Sequence, residues 1–326
     1  MKISLVVRAL NEDEHIGRLL AGVERQSVSV QDVILVDSGS TDATVDIATR
    51  FGCTVVHIAP QEFSFGRSLN VGIESTEGDI VIVPSAHVYP LRTTWIERLV
   101  EALDDPRVGL VYGRQVGGGQ TKYSERRVMA SWFPTESNRN QSHPFCNNAN
   151  AAVRRSTWQT YRYDEDLTGL EDLEFAVRIQ KEGWKIAYIA EAEVAHIHEE
   201  SWSQIRNRYR REAIAHREIF HDQAMTIPEA LRLVAANVIG DLWSAGEGHM
   251  LAGNFKDIVL FRINQFLGTF QGFRQAGPVT NELKQLFYYP APRSAVEPRD
   301  HHLLDVIDYS DLEAIDEVND RHHSSG

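Results

Sequence analysis

Three short stretches of this sequence carry side chains able to bind a ligand or move a proton. In the first, the apolar run Val33-Ile-Leu-Val36 ends on Asp37, and Ser38-Gly39-Ser40-Thr41-Asp42 follows. Four apolar residues in a row predict a strand buried on both faces, as in parallel sheets covered by helices. A carboxylate at the carboxyl end of such a strand lies where open α/β sheets bind ligands. The competing reading is a capped strand-to-helix turn, with Ser40 or Thr41 as N-cap and Asp42 in the first helical turn. The second stretch is Glu171-Asp172. Adjacent carboxylates raise one another's pKa, which suits one of them to proton transfer. Acids in the first turn of a helix over 170–181 also complement its dipole with no further role. The third is Val194-Ala-His196-Ile-His198. Positions two apart on a strand share a side, so both imidazoles can face one cleft. Two edge-strand histidines without function are the plain alternative.

These groups need a scaffold, and the composition bounds it. The 326 residues are 42% hydrophobic and 24% charged, ordinary for a globular protein. The net charge of -13 is uneven: nine acids and one arginine fall between Glu297 and Asp320. The folded part is therefore only mildly acidic, which argues against nucleic acid as a partner. Cys53 and Cys146 are the only cysteines, so no disulfide framework is expected and a reducing, cytoplasmic setting is the default. Met1-Lys2 leads directly into an apolar strand with no signal-peptide pattern, and no apolar run reaches the ~18–20 residues a bilayer span needs.

Strands alternate with helices through the first half. Strands are predicted over 3–7, 33–37, 54–58, 80–84 and 108–112. Helices are predicted over 12–25, up to 51, over 66–75 and over 95–103. This order implies right-handed βαβ crossovers and a mostly parallel, doubly wound α/β sheet with helices on both faces. From Gly113 to Arg162 the periodicity breaks down, with a flexible Gly117-Gly118-Gly119 loop. It returns as a helix over 170–181 and strands near 185–189 and 194–198. Helices follow over 203–220, from the capping box Thr226-Ile-Pro-Glu229, and over 257–273. The expected organisation is a domain over 1–220, with a nucleotide half to about 112 and an acceptor half beyond it. A helical extension over 221–290 and an acidic, loose tail over 291–326 follow.

Four motifs in order, Val7-Arg-Ala-Leu-Asn-Glu12, the Val36-Asp-Ser-Gly-Ser-Thr-Asp42 turn, Gly78-Asp79 before an apolar strand, and Leu170-Glu-Asp-Leu173, resemble those of family 2 glycosyltransferases of the GT-A fold. The likeness covers roughly residues 1–200. It implies inverting transfer of a sugar from a nucleotide-sugar donor, and a nucleotide floor formed by Ala9, Asn11, Glu12 and Asp37. A buried carboxylate at Asp37 fits that role, because it can accept from a base N–H or a ribose hydroxyl. For Asn11 and Glu12 the alternative is helix capping. Arg67, in Phe63-Ser-Phe-Gly-Arg67, becomes a candidate for the diphosphate, since a cation at a helix start suggests a bound anion.

The departure from the family is at Ser85-Ala86-His87, where relatives carry Asp-x-Asp to hold a divalent metal such as Mn²⁺ or Mg²⁺. Imidazole suits transition ions better than Mg²⁺. His87 therefore either ligates a metal, with His196 and His198 as further ligands, or hydrogen-bonds phosphate directly. On the same likeness Asp172 is the general base and Glu171 orients it or binds the acceptor. Asn148, Asn150 and Arg154 line the acceptor side, where amides read sugar hydroxyls. Trp132, Phe133 and Trp158 either stack on a sugar or belong to the core. The Arg-rich and Phe-rich C-terminal helices fit either a peripheral membrane face for a lipid-linked acceptor or a lid and homodimer surface, the latter preferred.

The function expected is thus an inverting glycosyltransferase acting on a glycan or lipid-linked acceptor in surface polysaccharide or glycoconjugate synthesis. A sugar nucleotidyltransferase is the rival within enzymes, but residues 7–12 contain no glycine for a phosphate loop. A non-catalytic sugar or nucleotide binder is the other rival, and Glu171-Asp172 counts against it.

Overall fold

The computed structural model describes residues 1–221, 224–275 and 307–309. Eight strands and ten α-helices follow one another as β1 (Ile3–Ala9), α1 (Asp13–Glu24), β2 (Asp32–Asp37), α2 (Thr44–Arg50), β3 (Thr54–His57), α3 (Phe65–Glu74), β4 (Ile80–Pro84), β5 (Val88–Pro90), α4 (Trp95–Glu101), β6 (Val108–Gly117), α5 (Tyr123–Trp132), β7 (Asn150–Arg154), α6 (Arg155–Tyr161), α7 (Glu171–Lys181), β8 (Lys185–His196), α8 (Trp202–Ile219), α9 (Ile227–Glu247) and α10 (Leu251–Phe273).

One sheet runs in the order β3-β2-β1-β4-β7-β6-β8-β5. The β1–β2, β1–β4, β2–β3 and β6–β8 pairs are parallel. Strand β7 runs antiparallel to both β4 and β6, and β5 antiparallel to β8. Consecutive strand residues point to opposite faces, and both faces are covered. Leu5, Val7, Leu35, Ile80 and Ile82 pack with Ile16, Leu19, Trp95 and Leu99 on one face. Val6, Ile34, Val36, Val81 and Val83 pack with Leu69, Ile73, Phe175 and Ile179 on the other. The doubly covered α/β sheet anticipated from the continuous apolar strands is the fold observed.

Strand β5 is not among the predicted strands and α10 begins at Leu251 instead of 257, and the structure differs from the sequence reading in three further places. Helix α2 begins at Thr44, not after Ser40 or Thr41; Asp42 closes its start by accepting from the Thr44 N–H (3.0 Å) and Oγ1 (2.6 Å). The stretch without periodicity holds α5, β7 and α6. Its strand β7 escapes a sequence reading because Ala151 and Ala152 lack the β-branched signature and are flanked by polar residues. Strand β8 is continuous through Glu191 and Glu193, its register against β6 shifting by a bulge between Gly113 and Gln115.

Helix α8 lies close against α10, where a Cβ on Gly268 or Gly272 would collide with the carbonyl oxygens of Arg206 and Arg210. Buried Asp241 of α9 joins these helices to α5, pairing with Arg262 Nε (2.8 Å) and Arg127 Nε (2.8 Å). No helix of the described residues is long and apolar enough to cross a membrane. The predicted tail lies almost wholly outside the described residues. Its Ile307 is buried, however, and the Ile307 N–H donates to Leu91 O (3.3 Å) while Tyr309 Oη donates to Pro90 O (2.9 Å).

Candidate active site

The strand ends of β1, β2 and β4 bring the first group of residues together. Ala9 and Asp37 face each other across the β1–β2 pairing. Asp37 is buried, and its carboxylate accepts from the N–H groups of Gly39 (3.1 Å) and Ser40 (3.0 Å) and lies 3.1 Å from His57 Nδ1. Gly39 is needed for this turn, because its φ is +106°. A carboxylate has about four acceptor positions, so Asp37 retains capacity for a ligand donor. Asn11 also has positive φ (54°), and its Oδ1 accepts from the Thr41 N–H at 2.8 Å. The Asn11 side chain thus ties β1 to the turn after β2 instead of capping α1. Glu12 occupies the N-cap of α1 without a side-chain capping bond, and its carboxylate meets His87 Nδ1 at 2.9 Å.

Arg67 stands in the first turn of α3, whose N-cap Ser64 accepts from the Arg67 N–H. Its guanidinium pairs with Glu165 (3.3 Å) and Glu62 (3.7 Å). The chain itself thus supplies an anionic partner at this helix start, while the buried Arg67 Nε has no hydrogen-bond partner among the described residues.

Ser85, Ala86 and His87 form the turn between β4 and β5, with Ser85 Oγ 3.2 Å from His87 Nε2. His87 stacks on His196, ring centroids 5.1 Å apart, and His198 lies edge-on to both. One ligand nitrogen from each of the three falls within 4.8 Å of the others. Each Nδ1 is held by an oxygen: His87 by Glu12 (2.9 Å), His196 by Gln115 Oε1 (2.7 Å) and His198 by Glu125 (2.5 Å). Gln115 Nε2 donates to Asn147 Oδ1 (3.0 Å), which turns its oxygen toward His196 and puts a proton on that Nδ1. His196 Nε2 and His198 Nε2 then face each other at 2.9 Å. Two lone pairs repel at that distance, so a proton or a cation must lie between them. Burial, then the neighbouring His198 and His87, hold the His196 pKa well below the usual range and keep this imidazole a neutral donor. Imidazoles oriented through Nδ1 by oxygen acceptors are the arrangement in which histidine binds transition metals. The residues present fit such an ion. Glu125, His198 and Glu200 form a second group within the same reach. Arg208 already bridges its two carboxylates, at 2.5 and 2.7 Å. Burial would raise the Glu125 pKa, but Arg208 and His198 hold it down to about 2.

The acid pair opens α7. Leu170 precedes it with φ +56°, a left-handed conformation uncommon for a branched residue. Glu171 is bound by Arg8 at 2.9 Å. Asp172 accepts from the Asn148 N–H (2.9 Å) and the Leu173 N–H (2.8 Å). Burial, and then the Glu171 charge, push its pKa up to about 7 despite these bonds and Arg8. A carboxylate poised there can take a hydroxyl proton near neutral pH.

Comparison with known proteins joins these features. Residues 4–161 match the model for glycosyl transferase family 2. The chain carries a family 2 glycosyltransferase domain. It is 28% identical over 211 residues to the O-antigen chain rhamnosyltransferase RfbN of Salmonella typhimurium, covering 61% of this chain and 67% of that one. It is 28% identical over 197 residues to WbaN of Salmonella anatum, also an O-antigen chain rhamnosyltransferase, covering 57% and 62%. The match thus spans less than two thirds of WbaN. Among solved structures, the mannosyltransferase PcManGT of Pyrobaculum calidifontis, in complex with GDP-Man and Mn²⁺, aligns over 85% of this chain and 88% of its own. Its TM-score is 0.60 at 16% identity. Glucosyl-3-phosphoglycerate synthase of Mycobacterium tuberculosis aligns over 67% and 78%, with TM-score 0.51 at 20% identity. Both likenesses concern the GT-A fold.

Within the family 2 domain, two expected acceptor residues stand elsewhere. Asn150 is fully buried and its amide is spent: Nδ2 donates to Arg114 O and Ala192 O, and Oδ1 accepts from Trp95 Nε1. Arg154 pairs with Ile80, whereas Asn150 pairs with Pro84. Because β7 is antiparallel to β4, Arg154 lies at the end of the sheet away from the site, bonded to Val108 O and Leu103 O. Phe133 and Trp158 belong to the core, while Trp132 is exposed. Asn148 remains at the site, its Nδ2 3.4 Å from Glu171. Arg8, Gln115, Glu125 and Arg208 contact the candidate site residues and were missed by sequence reasoning. Arg8 alone left a signal, as a charge inside an apolar strand.

Proposed function

We propose that the family 2 domain transfers a sugar, with inversion, from a nucleoside-diphosphate sugar to a hydroxyl of a glycan or lipid-linked acceptor in surface polysaccharide synthesis. The two Salmonella relatives make a nucleoside-diphosphate rhamnose the first donor to test. The observation that carries the reading is Asp172: a buried carboxylate with its pKa at about 7 at the start of α7, beside Glu171, which pairs with Arg8 and whose charge still helps raise it.

In this reading Ala9, Asn11, Glu12 and Asp37 form the nucleotide floor, with Asp37 accepting from base or ribose. Asp172 takes the proton of the attacking hydroxyl as its oxygen bonds to the anomeric carbon and the nucleoside diphosphate departs from the opposite face, and Glu171 and Asn148 hold Asp172 in place. His87, His196 and His198 would hold a divalent transition ion. Such an ion, when bound, supplies positive charge to the departing diphosphate. Arg67, whose guanidinium meets Glu165 at 3.3 Å while its buried Nε has no hydrogen-bond partner among the described residues, stays the candidate for the diphosphate or base. In this reading transfer takes place at the cytoplasmic face of a membrane that the chain touches.

Thermal-shift screening of nucleoside-diphosphate sugars, each with Mn²⁺, with Mg²⁺ and with neither, tests donor and metal together. A ligand at a hundredfold excess over its Kd adds ~2.7 kcal/mol of apparent stability. A shift with one donor, larger with Mn²⁺ than with Mg²⁺, is expected. No shift with any nucleotide sugar would defeat the reading.

A further inference from the structure

Strand β5 ends the sheet, and one short piece of the C-terminal tail lies against it. In the sequence this piece is an apolar island: Val306-Ile307 and Tyr309 stand among Asp305, Asp308 and Asp311. Ile307 is only 4% exposed, and its N–H donates to the carbonyl of Leu91, the residue after β5 (3.3 Å). A strand edge offers open backbone groups, and an extended peptide that takes them up gains affinity from main-chain bonds.

Tyr309 fills the space between β5 and α1. Its Oη donates to Pro90 O at 2.9 Å, and its ring meets Tyr89 edge-on with centroids 5.4 Å apart. The Arg25 guanidinium lies over the same ring, 5.6 Å from its centroid, and Arg25 Nη1 donates to Asp308 O. Burial pushes the Tyr309 pKa above its ordinary value against the pull of Arg25 and Arg18, so the hydroxyl stays a donor. The receiving side is shaped for this ring. Glycine weakens a helix interior, yet Gly22 lies inside α1, and a Cβ there would collide with Tyr309 Oη and stand 2.7 Å from Pro90 Cδ. Arg18 and Arg25, seven positions apart, share one side of α1. Their charge is opposite in sign to that of the acids around the segment.

The two elements that receive Tyr309 also present the Glu12–His87 pair. Glu12 is the N-cap of α1, and His87 immediately precedes β5. Packing that holds α1 to β5 therefore supports that pair as well.

We propose that the groove between α1 and β5 is a recognition site for a short acidic and apolar peptide, and that its occupant is this chain's own Ile307-Asp308-Tyr309, docked in cis as a releasable clamp on both elements. The inference stands apart from the transfer function, which gives this groove no role.

The test is amide hydrogen exchange on the full chain, in the wild type and in the Tyr309→Ala and Ile307→Asp variants. In the wild type the Ile307 amide is expected to be protected at least tenfold, to the same degree at every protein concentration. Tyr309→Ala should lose that protection and exchange faster over 88–92 and 18–25, and Ile307→Asp should do the same in those two stretches. A second arm adds a synthetic peptide of residues 303–313. A segment tethered to the same chain meets its groove at a high effective concentration, so the peptide should bind Tyr309→Ala at least tenfold more tightly than wild type. It should also restore slow exchange over 88–92, and the same peptide carrying Tyr309→Ala should not. Equal peptide affinity for wild type and Tyr309→Ala overturns the proposal, as does an Ile307 amide that exchanges equally fast in wild type and Tyr309→Ala. Protection that falls on dilution overturns it too, because the segment would then come from a second copy.

Discussion

Replacing Asp172 by Asn removes the proposed base with little change in shape, and the structure sets the size of two separate effects. General-base catalysis is worth ~10²–10⁴-fold, so kcat should fall by at least that much while nucleotide binding persists. With a pKa of about 7, roughly half of the wild-type enzyme is ionised at pH 7 and about a tenth at pH 6. The wild-type rate should therefore rise through this window, and the residual rate of the variant should lack that limb.

Stability gives the second readout. The folded pKa of Asp172 is raised above its ordinary value of 3.8. Its contribution to stability is therefore fully present below pH 3.8 and is lost as pH climbs through 7. A displacement of this size corresponds to roughly 4 kcal/mol when complete. Asparagine cannot ionise, so Asp172→Asn lacks that loss. It offers one oxygen where the carboxylate accepted from both the Asn148 and Leu173 N–H groups, and leaving one unmatched costs about 1–3 kcal/mol. The variant should thus be less stable than wild type at pH 4 and more stable than it by ~1–3 kcal/mol at pH 8. Chemical denaturation at both pH values, beside single-turnover kinetics, measures the two effects. A kcat within a few-fold of wild type, or parallel stability curves, would refute the reasoning.

Arg8→Gln removes a charge that lowers the Asp172 pKa, so the rising limb of kcat should move to higher pH; an unmoved limb means the pair is not coupled. His87→Ala should lose nearly all turnover, and near wild-type activity would end its assignment at the diphosphate. His196→Ala should abolish Mn²⁺ binding in calorimetry and Gln115→Ala weaken it about 10–100-fold, while equal binding by both variants and wild type would place the ion elsewhere. Asp241→Ala strands buried Arg262 and should cost about 3–5 kcal/mol in chemical denaturation, and a loss below about 1 kcal/mol would mean that the pair does not hold α9 to α10.

The sequence was readable where one residue type answers to one physical demand. Unbroken apolar runs over 33–36 and 80–83 read as strands covered on both faces, and those strands, β2 and β4, flank β1 inside the sheet. The Thr226 capping box marks the start of α9 because both of its reciprocal bonds are local. Reading failed where the demand comes from a distant segment. Asn150 looks like a sugar-reading amide, but Trp95, Arg114 and Ala192 consume it. Arg154 is four residues further along a strand whose antiparallel direction no local pattern announces, and that direction carries it away from the site.

Substituting histidine for carboxylate after β4 changes what the surrounding residues must do. A carboxylate ligand has two equivalent oxygens, whereas an imidazole presents one nitrogen, and an acceptor on the other nitrogen fixes its tautomer and orientation. The exchange at His87 therefore requires an added acceptor, and Glu12 is that acceptor. The same logic extends to His196 through Gln115 and on to Asn147. Asn147 is followed by Asn148, whose N–H fixes Asp172. One short loop thus sets both the tautomer of His196 and the position of the proposed base. A shift of this loop would disturb both ends at once, so an Asn147→Ala variant should lower metal affinity and kcat together. If only one of the two falls, the loop does not couple the proposed base to the histidine centre.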